Sequence, residues 1–173
     1  YYFKLKKTNE SLVQENVALR TLLRQNYLMA DTAHKLAVDS IKVDSIFKYQ
    51  KFTYLDAKVV GGCTTRQSNF FTIHRGTSQG VSVDMAVISP DGIVGRVVNT
   101  SSNFATVMSL LSRQFKVDAK LKTSGDRGTI SWDGVDPHFV QMRNIPKSIK
   151  INKGDSVLTS ELSSIFPPNI LVG

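Results

Sequence analysis

The residues able to do chemistry are few and scattered. Histidine occurs at 34, 74 and 138, the only cysteine is Cys63, and Gly154-Asp155-Ser156 is the one triplet resembling a serine nucleophile motif. No two histidines share helical or strand spacing with each other or with Cys63. A metal site needs three or four convergent ligands, so surface or capping roles fit all three rings. Ser156 runs into Val157-Leu158, which reads as strand, with no second glycine to free backbone amides for an oxyanion hole. A Gly-Asp turn entering a strand accounts for the triplet. Gly76 and Gly80 bracket a turn but lack the Lys-Ser/Thr pair of a phosphate loop, and they precede a strand where that loop needs a helix. Gly61-Gly62 reads as a loop between strands. The expectation is a chain with no catalytic residues, no metal and no cofactor. One cysteine also excludes an intramolecular disulfide.

The elements that would position these residues divide the chain in three. Residues 1–30 contain no Gly or Pro, and Leu5, Leu12 and Leu19 recur every seven residues. Placing them at d puts Asn9, Asn16 and Leu23 at a, Glu15 at g and Arg20 at the following e. This pattern predicts a coiled-coil helix over 1–30 that forms a parallel homodimer. Paired Asn residues would fix register, and Glu15 would face Arg20 of the other chain. The apolar seam is too narrow for a helix packed on its own domain. About 25 helical residues would project roughly 35–40 Å. Residues 31–50 read as a linker, and 51–173 as a β region.

In the β region the period becomes two. Phe115, Val117, Ala119 and Leu121 alternate with charged residues, as on a half-buried antiparallel strand. Val81 to Val87 alternates in the same way, Pro90-Asp91-Gly92 supplies a turn, and Ile93–Val98 returns, with Gly95 marking a bulge or close approach. Further strands are expected at 52–60, 69–73, 104–111, 128–132, 139–143 and 156–159. Many short strands with turns between them predict one or two small barrels or sandwiches.

Composition limits the functions available. Hydrophobic residues make up 41% of the 173, enough for a folded core. The net charge of +8 is spread along the chain; the nearest cluster is Arg143, Lys147, Lys150 and Lys153, without interleaved aromatics. That distribution argues against nucleic acid and leaves attraction to acidic head groups or an acidic wall polymer open. No apolar run is long enough for a membrane span. The opening Tyr1-Tyr2-Phe3-Lys4 resembles the water-side flank of a membrane helix, or a trimmed end, and suggests a cut inside a longer protein.

Several stretches together resemble MreC, the rod-shape-determining family of the bacterial cell envelope. They are Glu15-Asn16 with Leu19-Arg20 in the helix, and NFFTIHRGTSQGVSVDMAVISPDGIVGRVV over 69–98. FATVMSLL from Phe104, a basic strand ending near SGDRG, and GDSVLTS…IFPPNILVG over 154–173 complete the set. The resemblance implies a periplasmic coiled-coil dimer bearing two small β barrels, like trypsin-type barrels without catalytic residues, the second at roughly 76–143 inserted in the first. It implies single-pass anchoring at the periplasmic face of the inner membrane through a helix absent from this chain. It also implies a scaffold role in the rod elongation complex, with MreB, MreD, a class B penicillin-binding transpeptidase and the rod glycosyltransferase as partners. Two departures stand out. Glu161 follows Ser160 where the family usually has Gly, which predicts a different turn, and family chains continue beyond Gly173, so that one barrel either lacks strands and exposes an edge or has its remaining strands outside these residues. Phe70, Phe71 and Phe166 are the candidate partner-docking rings. Two functions of other classes fit the fold class. A trypsin-like hydrolase, degenerate or active, needs a His–Asp–Ser set that these residues do not supply. A polysaccharide-binding module needs exposed aromatics, and Trp132 sits inside a strand pattern.

Overall fold

The computed structural model describes residues 2–22, 27–29, 48–50, 52–146 and 148–172, and divides the chain into two units, Tyr1–Asp56 and Ala57–Gly173. In the first unit, helix α1 spans Tyr2–Leu22. The helix expected over 1–30 is shorter than its composition allowed. Strand β1 (Tyr27–Met29) pairs antiparallel with β2 (Lys48–Gln50), Leu28 opposite Tyr49. A ladder partner overrides helix propensity in this stretch. It also puts strand into part of the expected linker, whose residues 31–47 lie outside the described ones.

The second unit is antiparallel β. Strands β3 (Val59–Gly62), β4 (Phe70–Ile73), β5 (Ala86–Ser89), β6 (Gly92–Thr100) and β7 (Ala105–Ser109) form one sheet in the order β3-β4-β7-β6-β5. Strands β8 (Lys116–Leu121), β9 (Arg127–Ser131), β10 (Gln141–Arg143) and β11 (Val157–Thr159) form another, ordered β10-β9-β8-β11. The sheets follow one another along the chain, so neither is inserted at 76–143. Among the described residues the end strands of each sheet do not pair with one another, so both sheets are open where closed barrels were expected.

Alternation along the strands builds two cores. One is shared by both sheets: Ile93 and Met108 come from the five-stranded sheet, Val117, Ala119 and Ile130 from the four-stranded one, and Phe115 and Phe166 meet edge to face with centroids 6.1 Å apart. The other lies on the opposite face of the five-stranded sheet, where Ile73, Val97, Ala105 and Val107 pack with Val81. Successive residues Val107 and Met108 thus enter different cores. The 81–87 alternation does not make a long strand. Asp84 adopts a φ of 70°, Met85 N–H bonds back to the Ser82 carbonyl, and only Ala86 onward is strand. Val81 is buried, whereas Val83 and Met85 are exposed.

Backbone approach explains two glycines. A Cβ on Gly95 would lie 2.1 Å from the Met108 carbonyl oxygen, so the residue marks a close approach beside a register shift in the β5–β6 pair. Gly92, after Pro90-Asp91, has a φ of 144°, and a Cβ there would lie 2.4 Å from the Leu171 oxygen. That oxygen accepts the Ile93 N–H at 3.0 Å, tying the C-terminal segment to the start of β6.

Phe166 is 2% exposed, which corrects its expected role as a docking ring: the Pro167-Pro168 loop turns it into the shared core. Phe166→Ala is expected to lower unfolding free energy by about 3–5 kcal/mol in urea denaturation. Phe70→Ser, at a partly exposed ring, is expected to cost far less; equal losses would place both rings in the core.

Candidate functional site

Among the described residues, the groups singled out for chemistry stand in separate local settings. Both carboxylate oxygens of Asp155 are engaged, one accepting the Asn152 N–H at 2.9 Å and the other the Thr123 hydroxyl at 3.2 Å. The Ser156 carbonyl accepts from Lys122 N–H, so the triplet is a turn leading into β11, with Gly154 at a φ of 99°. His74 stacks on Phe104 with centroids 4.9 Å apart. The backbone N–H of His138 is held by the Asp136 carboxylate. His34 lies outside the described residues. The Cys63 sulfur is 3.2 Å from the Thr65 hydroxyl, whose hydrogen bond lowers the thiol pKa. Among the described residues no group of three His, Cys, Asp or Glu side chains is placed to hold a metal ion.

Surfaces for binding are better developed. On α1 the side chains of Leu5, Leu12 and Leu19 are 59%, 50% and 57% exposed, a row of apolar groups at seven-residue spacing facing water. Asn9, Glu15 and Asn16 are exposed and Arg20 is half-buried. The Asn16 amide donates to the Leu12 carbonyl at 2.9 Å, a bond along the helix that must reorient for Asn16 to meet a twin. Leu23 lies outside the described residues. No helix among them is long and apolar enough to cross a membrane.

On the β body, the adjacent rings Phe70 and Phe71 take different environments. Phe71 packs against the Val97–Val107 core, and Phe70, opposite Met108, is 37% exposed. Sequence reasoning missed a more exposed pair, Val135 and Phe139, in the loop from β9 to β10. That loop is braced by its own polar groups. Trp132 Nε1 donates to the Asp136 carbonyl at 2.7 Å, the Asp133 carboxylate accepts from Val135 N–H and the Gln141 amide, and Arg113 lies against Gly134. An open cleft of about 330 Å³ lies beside it, lined by Leu110, Leu111, Pro137, His138 and Val140. Pro137 and the paired Asp residues were a legible turn signal, but nothing in the pattern distinguished exposed Phe139 from a strand residue. Trp132 itself is buried, so it offers no stacking platform for a sugar ring.

Glu161 lies in the turn after Ser160. Ser163 N–H bonds to the Ser160 carbonyl, Glu161 has no positive φ, and its carboxylate pairs with Lys120 on β8.

Comparison with known proteins gives one family throughout. The family model described as rod shape-determining protein MreC, barrel core, matches residues 59–173. The cell shape-determining protein MreC of Listeria monocytogenes is 31% identical over 172 residues, covering 98% of this chain and 55% of the relative. That of Haemophilus influenzae is 24% identical, covering 92% and 46%. The chain therefore spans about half the length of these relatives. Among solved structures, MreC of Listeria monocytogenes superposes with a TM-score of 0.58 at 26% identity, covering 99% of this chain and 74% of that one. MreC of Pseudomonas aeruginosa shares the fold with a TM-score of 0.62 at 24% identity, covering 68% and 76%.

The Lys120 contact gives a test in pH. Its hydrogen bond, with a smaller contribution from Arg127, holds the Glu161 carboxyl below the ordinary glutamate value of 4.5. A depressed folded-state pKa stabilises above the unfolded value, and that contribution is lost as pH falls through the folded value. The pair is solvent-exposed at Glu161, so Glu161→Gln is expected to cost at most about 1 kcal/mol near neutrality. In urea melts the difference from the parent protein should vanish in acid and shrink in high salt. A difference persisting in acid would assign the loss to the turn.

Proposed function

The chain belongs to the MreC family of rod shape-determining proteins, and from that premise we propose that it is a non-catalytic scaffold for envelope growth. In this reading α1 pairs two copies in parallel, and the β body captures a cell-wall synthase on the periplasmic face of the inner membrane. The partners this assigns are the class B penicillin-binding transpeptidase and MreD, with the full-length protein anchored by a single membrane helix.

The observation that carries the reading is the exposed leucine seam. A helix of 21 residues is marginal alone in water, and most helical stability comes from packing an apolar face. Leu5, Leu12 and Leu19 stand in one exposed row, flanked by Lys6, Thr8 and Glu15 as well as exposed Val13 and Leu22, which suits a second copy of α1 better than a broad core surface. Exposed Asn9 and Asn16 would then lie in the seam, where an Asn pair gives up stability for a fixed two-stranded register. On the β body, the exposed apolar groups that would meet a synthase in this reading are Phe70 and the braced Val135–Phe139 loop. Burying one such ring contributes about 1.5–3 kcal/mol, and several together make a hot spot.

Sedimentation of the whole chain tests the pairing. The parent protein is expected to be a dimer and Leu12→Ser/Leu19→Ser a monomer with an unchanged β-sheet melting transition. Asn16→Leu should raise helix stability while loosening oligomeric state. A parent protein that is monomeric at every concentration would overturn the pairing. Capture of the transpeptidase ectodomain should weaken on Phe139→Ser with melting temperature unchanged, and capture undiminished by Phe139→Ser and by Phe70→Ser would move the docking surface elsewhere.

A further inference from the structure

The outer face of the four-stranded sheet carries cations with too few acids to match them. Alternation sends Val117, Ala119 and Leu121 of β8 into the protein and leaves Lys116, Asp118 and Lys120 on the other side, with exposed Lys122 following. Register then places further cations beside them. Arg127 on β9 lies directly opposite Lys120, and Arg143 on β10 lies opposite Thr129, diagonal to Arg127. Such pairs have Cβ atoms about 5 Å apart when opposite and about 7–8 Å when diagonal. Lys116, Arg127 and Arg143 are exposed, and no ion pair is formed by any of them among the described residues. Within the strands Asp118 is the only acid on this face. Glu161 engages Lys120 from beyond β11, and Asp133 beside the corner is taken by Gln141 and Val135.

Two details make this more than a solvated face. The Arg143 guanidinium is held by Gln141, its Nε and an Nη both donating to Oε1 at 3.2 and 2.6 Å, so one cation is oriented by a neutral neighbour. Ser131 Oγ, between Lys116 and Gln141 in the pairing register, is buried and has no hydrogen-bond partner. The face therefore offers forked and point cations for phosphate, with the exposed Gln141 amide among them.

We propose that this face binds a linear polymer of polyol units joined by phosphodiesters, its charges recurring along the chain as the cations recur across the sheet. Charge complementarity selects a polyanion. Within the strands the face has no aromatic side chain on which a base could stack, and Phe139 at its border is a single ring, which disfavours single-stranded nucleic acid. Its only apolar side chain within the strands, Leu158, is half-buried, so nothing there would sink into a bilayer. The proposal does not rest on the synthase-binding reading: it needs only the cations of the sheet's outer face, although the Val135–Phe139 loop borders that face at Gln141.

The test is fluorescence anisotropy of labelled poly(glycerol phosphate) titrated with the full chain, across a salt series. Binding is expected to weaken with salt as counterions are released. Arg127→Ser/Arg143→Ser should weaken binding by about tenfold or more and reduce the salt slope by about two, one for each cation removed. Lys58→Ser/Arg66→Ser removes the same charge from exposed positions flanking β3, away from this face, and should change affinity by less than about twofold. Arg127→Lys/Arg143→Lys, which keeps charge, should retain most of the binding and shows that loss in the Ser variant is not misfolding. Equal weakening by both Ser pairs, no binding at low salt, or tighter binding to phosphatidylglycerol vesicles or to oligothymidine than to the polymer would each overturn the proposal.

Discussion

The β body depends on one shared core, because neither sheet can bury its apolar face without the other. Ile93 and Met108 from the first sheet meet Val117, Ala119 and Ile130 from the second, and the Phe115–Phe166 contact joins both to the C-terminal segment. That segment is fastened by polar groups that burial leaves no freedom to change. The Thr159 hydroxyl donates to the Pro167 carbonyl at 2.6 Å and accepts from Ile170 N–H at 2.9 Å, with the residue fully buried. Leu171 then bonds to Ile93, and Val172 to Val157. A buried hydroxyl that loses its partner costs about 1–3 kcal/mol, so residues 159–172 are as much part of the fold as the strands they link.

Helix α1 follows the opposite economy. Its leucines are presented to water, and the pairs Lys6–Glu10 at 3.9 Å, Asn16–Leu12 and Thr21–Val17 run along the helix itself. Exposed pairs of that kind contribute a few tenths of a kcal/mol, too little to hold a lone helix. A β body held by its own core and a helix with an exposed leucine row would let folding and assembly use different surfaces, as the proposed scaffold requires.

Much of this was written in the sequence, and the remainder has identifiable physical causes. Period-two alternation located β8, and Pro90-Asp91-Gly92 located the β5–β6 turn, because both signals are local. The 81–87 alternation misled because Asp84 takes a positive φ, a conformation Asp tolerates better than most residues, and the segment covers a core instead of joining a ladder. Phe166 looked like a rigid exposed ring beside two prolines; its burial depends on Phe115, some fifty residues earlier, and is invisible to any local window. The order of the sheets along the chain was likewise a long-range property. On the candidate surfaces the heptad marked the leucine seam directly, whereas exposure of Val135 and Phe139 required the hydrogen bonds that brace their loop.

The claim on which the rest turns is that the seam of α1 is closed by a second copy in parallel and in register. Oxidative cross-linking of single-cysteine variants in a Cys63→Ser background measures this most directly. Asn16→Cys, at the seam, should give a rapid disulfide-linked dimer, and Gln14→Cys, on the outer face of the same helix, should stay largely monomeric under identical conditions. Equal cross-linking at both positions, or none at position 16, would contradict a parallel two-stranded coil.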